Sequence, residues 1–186
     1  MARMSDAPKP DGSTVERFRT LMLPHLDAVY GFARWLTRDP LEAQDLAQEA
    51  MLRALRYFHA FRGEAARPWL LRIVRNTWID LKARNRMEKL PLETLENRAA
   101  DGPDPEQSAL AGDRRRQIAA ALAALPAEAR EVLVLREIED LSYKHIAGVL
   151  DLPIGTVMSR IARAREKLAA ELNGRLGRRD HGLPDL

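Results

Sequence analysis

Apolar residues along this chain recur at intervals of three and four rather than in alternation. Leu70, Ile73, Val74, Thr77 and Leu81 form one such stripe, and Val157, Ile161, Ala164 and Leu168 another. At about 100° per residue these sets fall on one face of a helix, so the pattern predicts an all-α protein. A further helix opens at Asp39-Pro40-Leu41-Glu42, where Asp39 caps free N–H groups, Pro40 suits the first turn and Glu42 completes a capping box. It should run to about Tyr57, with Leu46, Ala50 and Tyr57 on one face and Asp45, Glu49, Leu52 and Arg56 gathered on another. That second face mixes acid with apolar surface. A solvated face with an ordinary Glu49–Arg53 pair fits the same residues.

After the turn Phe61-Arg62-Gly63-Glu64, Pro68 heads the helix that carries the first stripe. Its opposite face holds Arg72, Arg75, Asn76, Lys82 and Arg86, next to Trp69. Such a set is suited to nucleic acid, because cations meet phosphates, an amide hydrogen-bonds a base and an indole stacks on one. Composition also leaves open a packing role for Trp69 and Trp78 with solvated arginines around them.

Further on, Ile118, Leu122 and Leu125 stand at helical spacing before a break at Pro126, and a second apolar run passes through Val132, Leu133 and Leu135. Two short helices then follow. Ser142 caps the first, which contains Ile146, Val149 and Leu150; Asp151-Leu152 turns the chain, and Pro153 opens the second. This spacing is that of a helix-turn-helix. With Val157, Ile161, Ala164 and Leu168 turned inward, Thr156, Met158, Ser159, Ala162 and Arg163 face outward, flanked by Arg160 and Arg165. This geometry lets short side chains and Arg163 reach base edges while the flanking arginines hold phosphates; a basic surface helix with no DNA role fits the same residues, though the preceding turn favours the DNA reading.

Length and charge divide the chain. Its 186 residues fit one ordinary domain or two small ones, and 5% aromatic with 31% charged residues favours helices over a sheet-built core. From Arg62 to Arg86 seven basic residues stand against two acidic ones, whereas from Glu88 to Asp113 seven acidic stand against two basic. The acidic stretch also holds Pro91, Gly102, Pro103 and Pro105 and is the natural linker. Residues 1–13 read as a loose tail, neither secretory signal nor anchor. No window approaches a membrane span, and the absence of cysteine suits a reducing compartment, so a cytoplasmic protein without membrane insertion is expected.

Taken together these residues resemble the extracytoplasmic-function sigma factors, group 4 of the sigma-70 family, over roughly Arg17 to Leu172. Asp45-Leu46-Ala47-Gln48-Glu49 is similar to the family's core-polymerase docking segment. Phe61-Arg62-Gly63-Glu64, Trp69-Leu70 and Arg75-Asn76-Thr77 are similar to its minus-10 reader. Leu141-Ser142-Tyr143 through Gly155-Thr156-Val157, with Ser159-Arg160 and Arg163-Ala164-Arg165, is similar to its minus-35 reader.

The resemblance implies a sigma-2 domain over 14–87 and a sigma-4 helix-turn-helix domain over 113–173, joined by a linker over 88–112 in the polymerase's RNA path, with a tail over 174–186. It implies binding to the β′ and β subunits of core RNA polymerase, with Asp45, Gln48, Glu49 and Leu52 on the β′ helices. Promoter DNA would be read by Phe61, Arg62, Trp69, Arg75 and Asn76 at minus-10, and by Thr156, Met158, Ser159, Arg160, Ala162, Arg163 and Arg165 at minus-35. An anti-sigma protein is the further partner implied, in a stress or envelope-signal response; no cofactor or metal is. Met158 and Ala162 depart from many relatives, which carry a basic residue and a larger or polar one there.

Two rivals differ in class. A stand-alone helix-turn-helix regulator shares the recognition helix but not the docking and minus-10 motifs. An enzyme lacks support, since His25, His59, His145 and His181 are scattered and neither cysteine nor a phosphate-cradling glycine loop occurs.

Overall fold

The computed structural model of the chain describes residues 12–63, 65–88 and 109–180. The start of the expected tail, Glu64, most of the acidic linker and residues 181–186 lie outside the described residues. Every regular element among the described residues is helical, as the periodicity predicts. Helix α1 (Gly12–Met22) passes through a 3-10 turn (Leu23–His25) into α2 (Leu26–Thr37); α3 (Pro40–Arg56) and α4 (Ala66–Glu88) follow, with a second 3-10 turn (Phe58–Ala60) between them. Arg38, left-handed at φ 64°, ends α2. Asp39 then starts α3, its Oδ1 accepting from the N–H groups of Leu41 at 2.8 Å and Glu42 at 3.0 Å. A cap of this kind stabilises by about 1 kcal/mol.

The inner face of α3 is built from Ala43, Leu46, Ala47, Ala50 and Ala54, small enough to let α2 and α4 approach closely. Phe32, Leu36, Phe58, Leu70, Leu71 and Val74 complete that core. Tyr57 departs from the expected stripe and is 39% exposed. The reason is local: α3 ends at Arg56, and Tyr57 is already the cap leading into the 3-10 turn.

In the second half α5 (Ala109–Ala124) and α6 (Ala127–Leu133) meet at the Pro126 break, and a π-helical turn (Val134–Ile138) precedes α7 (Tyr143–Leu150) and α8 (Ile154–Asp180). Ser142 Oγ accepts from His145 N–H at 3.2 Å, and Asp151, at φ 53°, closes α7 in the left-handed conformation. Leu122 and Leu125 are buried as their spacing predicts, but Ile118 is 46% exposed.

Helix α5 begins inside the expected linker, at Ala109, where alanine-rich sequence favours helix. Helix α8 runs past 173 to Asp180, because its stem lies on α5 and Arg175 Nη2 donates to Ala120 O at 3.2 Å.

The two halves pack on each other. Helix α7 lies against α4 and α6 against α2, and the buried apolar residues of both halves form one continuous cluster. Buried Arg130 secures the end of α5, donating from Nη1 to Ala123 O and Leu125 O, each at 3.2 Å. From the other half Arg38 Nη2 reaches Ala123 O at 2.9 Å. Cations at the unsatisfied carbonyls of a helix C-terminus suit its negative end. Burial, with the charge of Arg38 added, lowers the Arg130 guanidinium to about 10.

Candidate functional site

Asp45, Gln48 and Leu52 share the open side of α3, and Leu52 is 52% exposed. Leu41, one turn before Asp45 and 70% exposed, belongs to the same strip. Sequence reading missed it, although the spacing 41, 45, 48, 52 was there to be seen. Glu49 is placed differently. Its Oε1 accepts from Arg53 Nε at 2.8 Å, while Arg53 Nη1 reaches Asp80 Oδ2 on α4 at 2.6 Å. Burial alone would depress the Arg53 guanidinium, but the hydrogen bonds it donates to these two carboxylates hold it above its ordinary value. Glu49 therefore helps tie α3 to α4 as well as bordering the open strip.

A second surface surrounds the start of α4. Phe61 stacks on Phe58 with centroids 5.8 Å apart and meets Trp69 at 5.2 Å. Both Phe61 and Trp69 are half-buried against the core, so they shape the turn at Gly63, which needs its φ of 78°. Arg62, Arg72 and Asn76 are exposed. Arg75 is not open like them: its Nε donates to Glu131 Oε1 of α6 at 2.8 Å. Burial lifts the Glu131 carboxyl above its ordinary range despite the neighbouring Arg75. Trp78 carries Lys82 Nζ over its ring at 4.3 Å.

The third surface is the outer side of α8. Val157, Ile161 and Ala164 are buried, which leaves Met158, Ser159, Ala162 and Arg163 exposed and Thr156 half-buried at the helix start. Arg163 folds back along the helix, donating from Nε to Ser159 O at 3.2 Å and from Nη2 to Ser159 Oγ at 3.3 Å. The flanking arginines have acidic partners. Arg160 Nη1 lies 3.4 Å from Glu128 Oε2, and Arg165 gives both Nε and Nη2 to Glu137 Oε1, at 3.0 and 2.6 Å. The hydrogen bond to Glu137 holds the Arg165 guanidinium above its ordinary value.

The described residues thus offer three separate surfaces: an acidic and apolar strip on α3, a basic loop-helix face on α4, and a basic outer face on α8. Among the described residues no three metal-ligating side chains gather, and no helix is long and apolar enough to cross a membrane.

Comparison with known proteins accounts for this arrangement. Residues 21–87 match the family model for sigma-70 region 2, and 115–168 match that for sigma-70 region 4. The RNA polymerase sigma-H factor of Pseudomonas aeruginosa is 37% identical over 161 residues, 81% of this chain and 83% of that protein. The chain belongs to the extracytoplasmic-function sigma factors. It is thus an alternative sigma factor, a transcription initiation factor rather than a stand-alone regulator. The family's sigma-E factor from Haemophilus influenzae is 35% identical over 81% of this chain and 85% of its own length. The factor SigE of Mycolicibacterium smegmatis is 37% identical over 85% of this chain, which spans 62% of that longer relative. Among solved structures, the sigma factor RpoE in complex with the anti-sigma factor NepR from Bartonella quintana superposes with a TM-score of 0.66 at 26% identity, covering 85% of this chain and 98% of that one. CnrH in complex with the cytosolic domain of CnrY gives 0.61 at 29% identity, covering 86% and 90%.

Proposed function

We propose that this sigma factor joins core RNA polymerase through α3 and carries it to promoters read by α4 and α8. Asp45, Gln48 and Leu52, extended by Leu41 and bordered by Glu49, form the strip for the β′ helices, where acids meet basic residues around an apolar contact. Arg62 and Asn76 contact the opened minus-10 element with Arg75, while Phe61 and Trp69 hold the loop in shape. Asn76 is placed to hydrogen-bond a base taken out of the stack. On α8, Arg163 with Thr156, Met158, Ser159 and Ala162 reads the minus-35 element, and Arg160 and Arg165 secure its phosphates. Met158 offers an apolar contact to a thymine methyl, so this factor's preference differs from that of relatives with a basic residue there.

The reading is carried by one observation: Met158, Ser159, Ala162 and Arg163 stand exposed on a helix whose opposite side is buried, the form a recognition helix takes in a helix-turn-helix. The cytoplasm is the compartment in which such a protein meets polymerase. Control by an anti-sigma protein follows from the two solved relatives, one bound to the anti-sigma factor NepR and the other to the cytosolic domain of CnrY. Such an inhibitor would compete for the polymerase strip and the α8 face.

The test is in vitro transcription with core polymerase over a randomised promoter library. Initiation should depend on this chain and select two separated elements. Specific duplex binding without core polymerase, and no gain in transcription with it, would overturn the proposal.

A further inference from the structure

Two arginines of the α4 region face acids from the other half of the chain. Arg75 Nε meets Glu131 Oε1 at 2.8 Å across 56 residues of sequence, and Arg67 meets Glu139 Oε2 through both Nε, at 3.0 Å, and Nη2 across 72. The acids are the more deeply buried partners: the side chains of Glu139 and Glu131 are 4% and 9% exposed, those of Arg67 and Arg75 36% and 21%. Glu139 also rests over α2, where a Cβ added at Gly31 would lie 4.0 Å from its Oε1. Glu139 is thus covered by the sigma-2 half, and Glu131 faces that half through Arg75.

Chemistry makes this arrangement more than a packing contact. A guanidinium grips a carboxylate with the same planar fork of donors that it offers a phosphate. We propose that Glu131 and Glu139 of the sigma-4 half act as internal substitutes for DNA phosphate, occupying Arg75 and Arg67 so that the free chain covers its own minus-10 face until the halves separate. This rests on the assignment of α4 to the minus-10 element. The consequence is direct competition. Nucleic acid that engages the two arginines must displace the two carboxylates, and an event that parts α7 from α4 uncovers the arginines together.

The test uses the free full-length chain. It has no native cysteine, so Thr20→Cys and Lys167→Cys, both at exposed positions, place a fluorescent donor and acceptor on the two halves. Glu139→Lys sets like charge against Arg67. Transfer efficiency should fall, and affinity for a randomised 12-nucleotide single-stranded DNA should rise about tenfold. The exposed Glu16→Lys makes the same charge change away from the contact and should alter neither reading by more than about twofold. Adding Arg67→Glu to Glu139→Lys should restore transfer. Should the lysine variant lose helicity by circular dichroism, Glu139→Gln keeps the side chain's shape and should move both readings the same way by a smaller factor.

Unchanged transfer in Glu139→Lys would overturn the contact as a clasp. A fall in transfer without tighter DNA binding would overturn the masking. Polymerase takes no part in the measurement, so either failure is separate from failure of the sigma-factor reading, which the transcription assay decides.

Discussion

Arg53 of α3 holds Asp80 of α4 through Nη1 at 2.6 Å while its Nε holds Glu49. Asp45, one turn away and exposed, has no such tie among the hydrogen bonds and ion pairs described. The two acids of the docking segment should therefore respond differently to alanine. Asp45→Ala should weaken binding to core polymerase by about 1–3 kcal/mol and leave the melting temperature unchanged. Glu49→Ala should also lower stability, but by no more than about 0.5–1 kcal/mol, because Glu49 is 42% exposed, solvent screens the pair, and Asp80 still holds Arg53. Binding titrations alongside thermal melts separate the two. Equal losses of core affinity with unchanged melting in both variants would remove the distinction.

On α8 the contrast lies between Arg163, which hydrogen-bonds to Ser159 of its own helix, and Arg160, held near Glu128. Arg163→Ala should relax base preference at one or two positions of the upstream element by about 1–3 kcal/mol. Arg160→Ala should weaken all promoters alike and make the salt dependence shallower. Transcription over a promoter library reads both. Uniform loss for Arg163→Ala would make that residue a phosphate contact.

Local signals were the legible part of this fold. Asp39, Ser142 and Pro126 mark helix boundaries through their own chemistry, and the α8 stripe from Val157 to Leu168 separates its two faces at a fixed spacing. Contacts between distant segments left no such signal. Arg75 looked like its neighbours on an open basic face because its partner, Glu131, lies 56 residues away. Arg130 looked like a surface charge, yet it is 5% exposed because the end of α5 needs donors that only the folded chain brings there. The π-helical turn at Val134–Ile138 was equally hidden, since its apolar run suits an ordinary helix as well.

Thr77 was legible by position but not by consequence. It lies on the apolar stripe of α4 and is fully buried, and its Oγ1 has no hydrogen-bond partner among the described residues. Thr77→Val exchanges that hydroxyl for a methyl of the same shape. Removing an unsatisfied buried donor should stabilise the fold by about 1 kcal/mol, or about 2–4 °C in melting temperature. Thermal unfolding by circular dichroism measures this. A loss of more than 1 °C would mean that the hydroxyl makes a bond that stabilises α4.

Glu131 couples the stability of the fold to pH. Burial is the largest influence on its carboxyl and raises it, with Glu128 adding to the rise, while Arg75 and Arg160 pull the other way without cancelling it. The packed state therefore holds this proton more tightly than the unfolded chain, whose carboxyl stays near the ordinary value of 4.5. Linkage fixes the sign: the contribution is fully present below about 4.5 and is lost as pH rises through the raised folded value. Above both values Glu131 is ionised against its burial, and Arg75 offsets only part of that cost. Glu131→Gln has no proton to lose there and keeps an oxygen for Arg75 Nε. The melting temperature of the parent should thus fall relative to that of Glu131→Gln as pH is raised from 4 to 8, and the difference should level off once the carboxyl is fully ionised. Parallel curves for the two proteins would show that the Arg75 charge balances the burial. A parent that gains on the variant with rising pH would reverse the order of the two effects, making the ion pair the stronger.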